Sequence, residues 1–180
     1  MNRRRVLAQA DEILAAWNRG DAAGVVANVA DDVIWRDVAL GLPLQGRAAL
    51  EQATRAYMTA FPDLRVTVNS MTIDGQRVAQ EWTSNGTHLG ELMGMPPTGR
   101  WIENYGAMIV TCDDDGVVIE GAVYWNPLAM FRQLGLIDQA GPTVATKMSA
   151  SRAVVATAAR AARAAQSGGA STRKSSPAAT

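Results

Sequence analysis

Four side chains in this chain have types that could move a proton or hold an oxygen in a pocket: Asp37, His88, Tyr124 and Asn126. Asp37 lies near the end of the strand-like run Val33-Ile34-Trp35-Arg36-Asp37-Val38 and shares a face with Trp35, opposite Arg36. Facing an apolar space, its carboxyl pKa would be lifted toward neutrality and the group could serve as a base; in water it is an ordinary strand-end carboxylate. His88 is the single histidine. Alternation from Arg77 onward puts it with Val78, Gln80, Trp82, Ser84 and Gly86, as base, as donor, or as an anchor for the loop that follows. Asn85-Gly86 is also a turn signal, and a turn there would end the strand before His88. Tyr124 and Asn126 share a face with Glu120 and Ala122; if that face meets a pocket, phenol and amide can hold a ligand oxygen. A neutral amide cannot take up the proton, so Asn126 is no base.

These groups need an apolar enclosure, and the candidates for its wall are Trp17, Trp35, Tyr57, Trp82, Glu103 and Met108. The aromatic members are, as a set, more often plain core. Glu103 shares a face with Trp101, Tyr105, Ala107 and Ile109, and Met108 with Ile102, Asn104, Gly106 and Val110. Periodicity does not say which set looks inward.

The elements that would position them follow from spacing. Val6, Leu7, Ala10, Ile13, Leu14 and Trp17 recur at helical period, predicting a helix over 3–19 with Asn2 as cap. Asp21 caps a short second helix that Asp31-Asp32 end, and a third runs from Arg47 until Pro62 stops it. Gly41-Leu42-Pro43 and Gln45-Gly46 predict a loop before it. Strands are predicted over Leu64–Ile73, Arg77–His88, Trp101–Cys112 and Val117–Asn126, with turns at Asp74-Gly75-Gln76 and Asp113 to Gly116. Pro127 opens a last helix through Leu134. Helices first and hairpin-linked strands afterwards predict an α+β domain over 1–140, a curved antiparallel sheet with helices on one face. The segment Gly90–Gly99 suits a lid or a plain hairpin loop.

Charge divides the chain. Residues 1–140 hold eleven Lys/Arg against seventeen Asp/Glu, net −6, while 141–180 carry six bases and no acid. That tail predicts an Ala-rich helix over 151–165 and disorder beyond it. It has no interleaved aromatics, so nucleic acid is not the expected partner. One cysteine and one histidine leave too few soft ligands for a structural zinc site, and no metal site is expected. The only lysines are Lys147 and Lys174, which argues against Schiff-base chemistry in the domain. No apolar run has the length of a membrane span or a secretory leader, so the expected location is the cytoplasm.

Gly86-Thr87-His88-Leu89-Gly90 running into Pro96-Pro97-Thr98-Gly99, and Tyr124-Trp125-Asn126 running into Gln133-Leu134-Gly135-Leu136, resemble the SnoaL-like polyketide cyclase or ester cyclase family of the nuclear transport factor two-like superfamily. The resemblance covers about residues 3–138. It implies a cone of curved sheet closed by three helices, a deep pocket for a hydrophobic small molecule, a homodimer through the sheet, no cofactor, and ring closure by an intramolecular aldol step. It also implies that Asn126 faces the pocket, where family members often carry an acid. Asp37 stands about where ketosteroid-isomerase-like members keep their base. The leading expectation is such a cyclase, with Asp37 or His88 as base and Tyr124 and Asn126 orienting the oxygen. The alternatives are a non-catalytic hydrophobic-ligand or dimerisation module and, more weakly, an epoxide hydrolase, which wants an Asp-Arg-Asp group.

Overall fold

The structure is a computed structural model that describes residues 3–137. The Asn2 cap, the tail helix expected over 151–165 and the tail as a separate segment lie outside the described residues. Two helices open the fold, α1 (Arg3–Arg19) and α2 (Ala22–Val25), followed by β1 (Val29–Asp37), β2 (Leu42–Gln45) and α3 (Arg47–Ala60). Four strands come next, β3 (Arg65–Asp74), β4 (Arg77–Thr87), β5 (Trp101–Cys112) and β6 (Val118–Trp125), and α4 (Pro127–Gln133) closes the set.

The strands form one curved, unclosed sheet in the order β2-β1-β6-β5-β4-β3. The α+β expectation holds, with one refinement: β1 runs parallel to β6, so an otherwise antiparallel sheet is mixed. β3, β4, β5 and β6 are sequential hairpins and must alternate in direction. β1 reaches the sheet from the helical layer and docks beside β6 without a hairpin to fix its sense.

Two further differences from the sequence reading have simple causes. β1 begins at Val29, so Asp31 and Asp32 are strand residues with exposed side chains, not a helix terminator. The stretch read as a loop is β2, paired antiparallel with β1 through Ile34↔Gln45 to Asp37↔Leu42. Pro43 concealed it; a proline removes a ladder donor, which an edge strand tolerates and a central one does not. The Asn85-Gly86 signal does not make a turn, because both residues pair across to β5, with Glu103 and Ile102. A side chain at Gly86 would crowd Leu64 and Phe61, so glycine is there for close approach.

Register fixes which faces look inward. One row across the sheet reads Asp37, Val123, Met108, Gln80, and the next reads Trp125, Gly106, Trp82. A third holds Asn104 and Ser84, and on the other side lie Trp35, Gly121, Val110 and Val78. α1 and α3 cover this face through β3 and β1. The buried side chains divide into two clusters, one around Val29, Val33, Val78 and Val110, the other around Phe61, Ile102, Met130 and Leu134.

Candidate functional site

Between the helices and the inner sheet face lies a cavity of about 370 Å³. Its wall comes from nearly every element: Ile13 and Trp17 of α1, Leu50 and Tyr57 of α3, Trp35 of β1 and Met93 of the β4–β5 connection among them. Two glycines keep the space open. A Cβ on Gly106 would lie 2.2 Å from Cζ2 of Trp82, and one on Gly121 would lie 2.2 Å from Cζ3 of Trp35. Each indole therefore lies against the bare backbone of the neighbouring strand, and a tryptophan can line the cavity without filling it.

Asp37 is the only carboxylate on the wall among the described residues. The sheet puts it beside Val123, and Trp125, two residues further along β6, donates its indole N–H to both carboxylate oxygens, at 3.1 and 3.0 Å. The Leu40 amide donates to Oδ1 at 3.0 Å where the chain turns out of β1. Burial raises the Asp37 pKa above its ordinary value; the Trp125 hydrogen bond and the Leu40 and Ala39 amides oppose that rise without cancelling it. With one indole proton shared by both oxygens and one amide on Oδ1, Oδ2 keeps lone-pair capacity for another proton.

The remaining candidates separate. Trp17, Trp35, Tyr57, Trp82 and Met108 line the cavity, and Glu103 does not. Met108 is opposite Gln80 on the inner face, so Glu103 looks outward, where it accepts a hydrogen bond from the Tyr105 hydroxyl. Tyr124 also belongs to the outer face, 44% exposed, because its neighbours Val123 and Trp125 take the inner one. Asn126 is exposed past the end of β6 and caps α4, accepting from the Ala129 amide at 3.0 Å. The expectation that Tyr124 and Asn126 face the pocket is thus corrected: the inward pair of β6 is Val123 and Trp125.

His88 is fully buried, yet it is not among the cavity-lining residues. It follows the last residue of β4, packs its ring 5.3 Å from that of Phe61, and accepts at Nδ1 from the Thr98 amide at 3.2 Å. Nε2 is buried and makes no hydrogen bond of ordinary geometry. Burial lowers the pKa of the ring, against a weaker pull from the Gly90 carbonyl. Its backbone bridges the connection as well, its amide donating to the Arg100 carbonyl and its carbonyl accepting from Gly99.

Among the polar groups on the wall that carried no signal in the sequence are Ser84, Asn104 and the indole of Trp125. Alternation already put Ser84 beside Trp82, but a lone serine in a strand carries no signal until its neighbours are known. No arginine lines the cavity among the described residues; Arg36 pairs with Glu120 on the outer face at 2.6 Å, and the Arg100 guanidinium lies against Gly135. No group of three His, Cys, Asp or Glu side chains converges as a metal site among the described residues. Nor is any described helix long and apolar enough to cross a membrane.

The family profile described as SnoaL-like polyketide cyclase matches residues 8–134, and the chain belongs to that family. Among solved structures it is similar to AclR, a provisionally assigned hydroxylase from Streptomyces galilaeus, at 28% identity and a TM-score of 0.68, covering 76% of this chain and all of that one. It is also similar to IdmH, a provisionally assigned polyketide cyclase from Streptomyces antibioticus, at 26% identity and a TM-score of 0.62, covering 73% and 99% of the two chains. TsrD from Streptomyces laurentii shares the fold at 23% identity and a TM-score of 0.67, over 76% and 99%. No curated protein matches the sequence.

Proposed function

We propose that the protein is a cyclase acting on a bulky, apolar, carbonyl-bearing small molecule, with Asp37 as the base. The observation that carries this reading is a single carboxylate, raised in pKa by burial, on the wall of an otherwise largely apolar cavity. In the reaction Asp37 takes a proton from the carbon beside a ligand carbonyl. The resulting enolate carbon attacks a second carbonyl of the same molecule, a carbon–carbon bond forms, and the proton passes to the new alkoxide. No atom is gained or lost. The Trp125 N–H steadies the carboxylate before the transfer and can follow the negative charge toward the substrate afterwards. Epoxide hydrolysis is not favoured, because among the described residues the cavity supplies the carboxylate without an arginine.

A second reading keeps the cavity and drops the chemistry. Asp37 already accepts from Trp125 and Leu40, which is also how a structural carboxylate is satisfied, and the same pocket would then simply hold an apolar ligand. Deuterium exchange at the acidic carbon of 2-tetralone, followed by NMR, separates the two. Catalysed exchange that Asp37→Asn removes supports the base; saturable binding of 2-tetralone with exchange no faster than in buffer supports the binding module.

A further inference from the structure

The cavity has a second polar locus. Ser84 and Asn104 face each other across β4 and β5 on the inner sheet face, 3% and 4% exposed, and both line the cavity. Tyr57 reaches them from α3, and Asn104 Nδ2 donates to its hydroxyl oxygen at 3.4 Å. With Asn104 occupying the phenol as donor, the Tyr57 proton is left to give. Ser84 Oγ is buried beside the Tyr57 phenol and makes no hydrogen bond of ordinary geometry. Burial raises the Tyr57 pKa, while Asn104 and Ser84 beside it pull the other way, so the phenol stays protonated at neutral pH. A buried hydroxyl without a well-formed hydrogen bond costs stability, and a site that keeps one turned to a cavity is built to meet an oxygen that arrives with the ligand.

We propose that Tyr57, Ser84 and Asn104 form a recognition site for the neutral carbonyl oxygen of an extended apolar ligand whose reacting part lies at Asp37. Two O–H donors suit the two lone pairs of a ketone or ester oxygen. The wall carries no lysine, arginine or histidine among the described residues, so a carboxylate or phosphate would be buried there without a counter-charge. Ser84 stands four residues along β4 from Gln80, which lies in the Asp37 row. The two loci are thus offset by about 13 Å along the strands, with the Trp82 and Trp125 indoles between them. The ligand is therefore long, apolar along its middle, and oxygenated toward both ends. The assignment deepens the reading of the cavity given above but is tested by binding alone.

The probes are 2-acetylnaphthalene and its alkene isostere 2-isopropenylnaphthalene, titrated calorimetrically into the full chain. The wild type is expected to bind the ketone about 10-fold tighter than the alkene. In the Tyr57→Phe/Ser84→Ala variant the ratio should fall to within about 2-fold, with alkene affinity retained. The infrared carbonyl stretch of the bound ketone should return toward its value in hydrocarbon solvent. Both substitutions remove only a hydroxyl, and thermal unfolding followed by circular dichroism checks that the fold persists. Asp37→Asn should keep the ratio, so failure of the proposed base and failure of this site are read separately. A wild type with no preference or no binding, a ratio unmoved by the double variant, or one that collapses in Asp37→Asn overturns the proposal.

Discussion

Asp37 and His88 occupy matching places, each at the end of a strand of the same sheet, and the fold uses them in opposite ways. Asp37 ends β1 on the inner face, with an indole and an amide on its carboxylate and the cavity in front of it. His88 leaves β4 into the second hydrophobic cluster, against Phe61, with Thr98 on Nδ1. Burial pushes both toward their neutral forms, the carboxyl up and the imidazole down. For a carboxyl that means a stronger base beside open space. For an imidazole it means an uncharged ring that packs. Asp63 reinforces the second arrangement: its two oxygens accept from the Thr87 amide and hydroxyl, both at 2.7 Å, and pin the residue just before His88. A perturbed titratable group marks chemistry only where ligand can reach it.

The largest test of that contrast is turnover. Asp37→Asn is expected to lower exchange of 2-tetralone by about 10²-fold or more, whereas His88→Ala, assayed at a temperature where it is folded, stays within about 2-fold of wild type. Equal losses in both variants would erase the distinction between them. Stability should invert the order. Truncating His88 leaves a hole beside Phe61 and frees the Thr98 amide, so urea unfolding should show a loss of about 2–4 kcal/mol. Asp37→Asn, which removes a charge that burial disfavours, should be neutral or stabilising at pH 7.

Next in size is the cavity itself. Gly106→Ala should displace the Trp82 indole and cost about 1–3 kcal/mol in the same unfolding experiment, while shifting tryptophan emission. An unchanged spectrum and midpoint would mean that the indole does not rest on that strand.

The smallest effect is on the pH dependence of stability, where the two groups carry opposite signs. His88 has its folded pKa below the ordinary 6.5, so the unfolded chain binds more protons in that window and stability falls as pH drops below 6.5. Asp37 has its folded pKa above the ordinary 3.8, so the folded chain binds more protons there and stability falls as pH rises from 3.8 through the folded value. Unfolding midpoints of Asp37→Asn and His88→Ala against pH should each lose one of these slopes and keep the other.

Much of the scaffold was readable in order along the chain, because helical period, strand alternation and turn residues are local. The helix over 3–19, the strand from Trp101 to Cys112 and the inward face of Val78, Gln80, Trp82 and Ser84 all follow from such patterns. Asp37 could be named because its alternation with Trp35 is equally local. Its partner could not, since Trp125 is 88 positions away.

What the chain could not state by itself was which of two equally regular faces of β5 and β6 meets the cavity. That was settled by pairing Gln80 with Met108 and Met108 with Val123, a register that turns Glu103 and Tyr124 to the outside and leaves Asn126 to cap a helix. Alternation has a period but no absolute sense, and only contact with a strand whose inner side is already known supplies one. The same holds for Tyr57, Ser84 and Asn104: the sequence lays them on three separate elements, and the packing of α3 over the sheet makes them one site.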